Sequence, residues 1–183
     1  MRTAPLAIFF AMMMTVQANA DVKVEEDSSY FPLQGLTSRE IHRDLMRSAP
    51  RDGGEIIEGE VGDHLTVDFR PRMDGSVCRA SNERVTLKLQ VKLPKWVDEE
   101  RAAPDVRTSW NDYMGKLLAH ENRHKEIAIS TAHTVHDIVH TATGNGSCKG
   151  FEAKVRRAVR RAIADAEDQQ NAWDKNAAPF GID

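Results

Sequence analysis

Residues 120–124 read His120-Glu121-Asn122-Arg123-His124, an H-E-x-x-H pattern. On a helix, side chains four residues apart stand one turn apart on the same face, so both imidazoles can reach one cation. Neutral imidazole nitrogen suits Zn2+. The glutamate after the first histidine leans over the cation's open position, where it can act as general base toward water. The pattern therefore points to metal-assisted hydrolysis of a carbonyl compound. With 7 His and 13 Glu in 183 residues, composition alone yields roughly 0.02 such matches per chain. The competing reading is a satisfied polar cluster or a solvated helix face. Against it, two stacked core histidines around a glutamate are costly to bury without a ligand.

The pattern needs a long helix beneath it. Trp110, Tyr113, Leu117, His120, His124, Ile127, Thr131, Val135 and Ile138 recur at steps of three or four and form one stripe. Ser109 and Asp112 suit the start of this helix at Trp110, and Gly144-Asn145-Gly146 its end. A last helix is expected over residues 151–171, with Val155, Ala158, Val159, Ala162, Ile163 and Ala166 inward. Its basic face (Lys154, Arg156, Arg157, Arg160, Arg161) reads as solvated.

The first half reads as strands. A short one over residues 30–33 stops at Gly35, and Thr37 to Glu40 has capping-box spacing ahead of a helix over 38–48. Leu65, Val67 and Phe69 alternate with polar residues. After a turn at Asp74-Gly75, so do Val85, Leu87, Leu89, Val91 and Leu93, with Pro94 closing the strand. The layout is α+β: a small antiparallel sheet packed on long helices, one of them a zincin-like active-site helix. Trp96, Trp110 and Trp173 read as core anchors.

Composition narrows the setting. The chain is 40% hydrophobic and 29% charged, as a single globular domain should be, and its net charge of -3 argues against nucleic acid or anionic membrane as the main partner. Residues 1–20 have the layout of a signal peptide: Arg2, an apolar run over residues 6–16, and Ala18-Asn19-Ala20 for cleavage. That run is too short for stable membrane insertion as a span. Residues 21–29 are acidic and polar and read as a flexible leader, leaving 30–183 as the domain. Cys78 and Cys148 are an even pair in a chain expected to be exported, which predicts a disulfide closing a long loop, at about 4 kcal/mol in the chain-entropy account.

These features together resemble a bacterial family, domain of unknown function 922, whose members are regarded as secreted zinc-dependent proteases. The matching residues are Tyr30 with Gly35, Cys78, Leu93-Pro94-Lys95-Trp96, Trp110 with Tyr113, His120-Glu121-x-x-His124 and Cys148. The family ends on Tyr-Asp-x-x-Thr-x-His-Gly. In this chain Asp174 and Gly181 match with one extra residue between them, and the Thr and His are absent. The resemblance implies a zinc-dependent protease acting on a peptide or protein outside the cytoplasm.

The third zinc ligand lies outside the motif, since the sixth residue after His124 is Ser130. His133, His136 and His140 lie at least two turns away and read as surface or second-cluster histidines. If the last helix returns antiparallel, it reaches the level of the motif near residues 168–172, roughly 30 Å from the turn. Glu167 stands at that level near the edge of the inward face. Asp174 stands just past the expected helix, and the resemblance places it first, with Glu167 the alternative. Glu152 is inward in the pattern but far from the motif. Two other readings stay open: a zinc-binding envelope module without catalysis, and a metal-free interaction domain.

Overall fold

A computed structural model describes residues 22–177 and 180–182. The expected signal peptide and its cleavage point lie outside the described residues. The elements run β1 (Val22–Leu33), α1 (Ser38–Ser48), β2 (Arg51–Asp52), β3 (Glu55–Ile56), β4 (Glu60–Asp74), β5 (Val77–Trp96), α2 (Pro104–Thr141), β6 (Thr143–Asn145) and α3 (Phe151–Lys175). A four-stranded sheet packs against the helices, so the α+β expectation holds.

β5 is the spine of the sheet. β4 pairs antiparallel along one side, with Leu65 opposite Leu87 and Val67 opposite Val85. On the other side β6 covers residues 77–79 of β5, and β1 covers residues 85–96. β1 runs parallel to β5, so the sheet is mixed rather than antiparallel. This also corrects the expected leader: residues 22–29 form most of β1. Their polar sequence fits an edge strand, which needs main-chain pairing on one side and charge on the other. Only Phe31 and Leu33 of β1 are buried. Glu25 and Glu26 reach Lys88 and Lys125.

The helices largely keep their expected places. Thr37 Oγ1 accepts from Glu40 N, while Glu40 returns a carboxylate oxygen to Leu36 N, which fixes the start of α1. α2 begins at Pro104 rather than Trp110, because proline at the first helical position needs no partner for its missing N–H. β5 continues through Pro94 to Trp96, still paired with β1. α3 runs on to Lys175. Glu152 is exposed and pairs with Arg156 instead of facing inward.

Two apolar clusters meet along α2. Trp96, Trp110, Tyr113 and Leu117 join Ile41, Leu45 and Leu93 at one end. Ala128, Ala132, Val135 and Val139 join Val85, Leu87, Leu89, Phe151 and Val155 at the other. Residues 118–127 lie at the seam, and the H-E-x-x-H turn falls inside it. The Cys78–Cys148 disulfide ties the start of β5 to the segment ahead of α3.

Candidate metal centre

The seam in α2 is polar where the rest of the stripe is apolar. Glu121 is 4% exposed, and with Asp44 it makes up the buried polar or charged residues among those described. Burial is the main reason that its carboxyl is pushed up from 4.5 to about 7; His124 opposes this, while Asp174 and Glu60 add to it. Gly59 lies directly over the carboxylate. A Cβ there would stand 2.8 Å from Glu121 Oε1 and 3.0 Å from Leu117 Cδ1, so a larger residue at 59 would push against the carboxylate.

His120 and His124 turn toward α3 and meet Asp174 on its last turn. Asp174 Oδ1 is 3.1 Å from His120 Nε2 and 2.8 Å from His124 Nε2, and the two nitrogens are 3.0 Å apart. Gln170, one turn before Asp174, clamps His124. Its Oε1 accepts from His124 Nδ1, and its Nε2 donates to the His124 carbonyl at 3.3 Å. With Nδ1 engaged by Gln170, His124 Nε2 is left to face a carboxylate oxygen and another imidazole nitrogen at contact distance. Either a cation at the centre of the triangle or a proton on His120 Nε2 satisfies this arrangement.

The donor set fits a zinc ion. Two imidazoles and one carboxylate are the ligands of an open hydrolytic zinc site. The three edges approach the about 3.3 Å edge of a tetrahedron with metal–ligand bonds near 2.0 Å. Burial, then the nearby His124, lowers the pKa of His120 against the raising pull of Asp174, which favours the neutral ligand form. Gln170 supplies the outer hydrogen bond that fixes tautomer and ring orientation.

The structure brings His120, His124 and Asp174 into one cluster with Glu121 beside it. Glu167 lines the same cleft but is not in that cluster. Asp174 reaches the histidines from within the extended α3, not from beyond it.

Several contributors escaped the sequence reading. Trp173, 38% exposed, is not a core anchor: its ring stacks on His120 at 5.6 Å, and its Nε1 donates to the His120 carbonyl. Phe180 meets the same imidazole edge-on at 5.3 Å. Gln170 is legible only afterwards, as the residue one turn before Asp174. The opposite wall of the cleft is the segment from Glu55 through Gly59, Glu60 and Asp63, which carries no motif.

A family model described as bacterial protein of unknown function (DUF922) matches residues 28–181. No curated protein and no solved structure matches the chain.

Proposed function

We propose that this chain, which belongs to the bacterial DUF922 family of unknown function, is an exported zinc-dependent protease. The observation that carries this reading is the convergence of three acceptor atoms, from His120, His124 and Asp174, beside a buried glutamate in an open cleft. A zinc ion held by these three residues would supply Lewis acidity, acidifying water and polarising a carbonyl.

The chain's own residues supply the rest. Glu121 lines the cleft beside His120 and His124, so it can take a proton from water there and pass it to the departing amine. His120 and His124 stay oriented through Trp173 and Gln170. The segment from Glu55 to Asp63 lines the cleft and leads into β4, an edge strand of the sheet, which suits the addition of an extended peptide. The layout of residues 1–20 and the Cys78–Cys148 disulfide support an oxidising compartment.

The test is Glu121→Gln. The variant is expected to hold zinc at one ion per active centre, while hydrolysis of a mixed peptide library falls at least about 10³-fold. Retained hydrolysis defeats the mechanism. A second reading, zinc binding without turnover, has one observation in its favour. Phe180 packs against His120 in the segment where the family pattern carries a histidine before its final glycine. Zinc-loaded wild type with no hydrolysis across the library selects that reading.

A further inference from the structure

We propose a second divalent-cation site, built from His136 and His140 of α2 and Glu83 of β5. One ligand atom from each residue lies within 4.8 Å of the other two. The imidazoles are one helical turn apart and stack at 5.5 Å with 16° between their planes. His140 Nδ1 is 3.1 Å from Glu83 Oε2. The three side chains grade from shielded to open: His136 is 12% exposed, Glu83 18% and His140 66%. An ion can enter from the His140 side and still be held by two shielded ligands.

The sheet is deformed to place this carboxylate. Asp68 pairs with Arg84 and Arg70 with Ser81, so two steps along β4 span three along β5. The extra residue forms a bulge at Asn82, whose φ of 53° is the sole positive value of a non-glycine residue among those described. Before the bulge the inward residues of β5 are Cys78 and Ala80; after it they are Val85, Leu87 and Leu89. The bulge changes the parity of the strand and brings Glu83 into line with Val85, on the helix side of the sheet. A carboxylate there breaks an apolar row. Bulges characteristically re-aim a side chain in this way.

This site is independent of the first. The two histidine pairs are 16 residues apart on one helix, which is roughly 24 Å along the axis and about 160° around it. They flank opposite sides of the buried stripe and share no ligand. Two imidazole nitrogens with one carboxylate oxygen select Zn2+, Co2+, Ni2+ or Cu2+ over Mg2+ and Ca2+. The ion would fasten α2 to the bulge in β5, a few residues from the disulfide. The inference stands whether or not the chain hydrolyses peptides.

Zinc bound per chain after equilibrium dialysis tests it. Wild type is expected to hold two zinc ions. His120→Ala/His124→Ala and His136→Ala/His140→Ala should each hold one. Glu83→Gln and the single His140→Ala, both mild changes at partly open positions, should weaken one of the two binding steps at least tenfold and leave the other unchanged. Cobalt added to His120→Ala/His124→Ala should give visible absorption bands that vanish when His140→Ala is added. The inference is overturned if wild type binds a single ion that is lost with His120 and His124, or if His140→Ala and Glu83→Gln leave both steps intact. Either result reduces the cluster to a His140–Glu83 hydrogen bond.

Discussion

At the scale of single residues, the proposed chemistry rests on an unfavourable burial. In the metal-free chain the Glu121 carboxyl titrates at about 7 when folded, against 4.5 ordinarily. Between those values the unfolded chain is ionised while the folded one holds its proton. Stability therefore falls as pH rises from 4.5 through 7, by about 3 kcal/mol in all. Metal-free Glu121→Gln should be more stable than wild type by up to that amount at pH 8 and equal to it at pH 4. Urea unfolding at the two pH values measures this, and the same difference at both would show that ionisation of Glu121 is not the cause. Asp174 permits a sharper comparison. Asp174→Ala leaves two imidazoles without their carboxylate and should weaken zinc binding roughly 100-fold or more, whereas Glu167→Ala should leave it within a few-fold. Competition with a chromophoric chelator reads both, and the reverse ranking would make Glu167 the ligand.

At the scale of elements, the site depends on how closely the segment before β4 passes over α2. Gly59→Ala would put a methyl group 2.8 Å from Glu121 Oε1 and 3.0 Å from Leu117 Cδ1. The peptide wall or the carboxylate must then move. The turnover number is expected to fall at least about tenfold, with zinc affinity little changed, because a displacement near 1 Å suffices for such losses. Unchanged turnover would mean that this wall does not position Glu121. The sequence was most readable where periodicity is local. α1 begins and ends at the expected residues, and the alternation of Val85 to Leu93 marked the central strand. The two histidines were readable for the same reason, since one helical turn fixes their spacing. Of β1 only residues 30–33 were readable; residues 22–29 were not, because their pairing is decided by the main chain of β5 more than sixty residues away. Gln170, Trp173 and the Gly59 segment join the site through tertiary packing, which leaves no pattern in any one stretch of chain. Asp174 was ranked first through the family resemblance, and the helix that carries it runs four residues past its expected end.

For the molecule as a whole, the disulfide and the candidate metal centre lie in different parts of the fold. Cys78 and Cys148 are 70 residues apart in sequence, and their bond sits among Phe69, Val139, Phe151 and Val155. The candidate centre lies at the seam between that cluster and the one around Trp110 and Tyr113. The seam is joined mainly by α2 running unbroken through both clusters and by β5 behind it. Replacing both cysteines with alanine restores the freedom of a long loop in the unfolded chain and is expected to cost about 4 kcal/mol. That loss should appear as a lower urea midpoint without a comparable loss of zinc affinity at His120 and His124, since neither cysteine contacts the cleft. If the centre instead failed in proportion to stability, the two clusters would form one cooperative unit, and the disulfide would be part of what holds the ligands in place. Zinc titration of the double variant well below its unfolding midpoint separates these outcomes, because only global coupling lets a crosslink at one end of α2 govern a cation held near its middle.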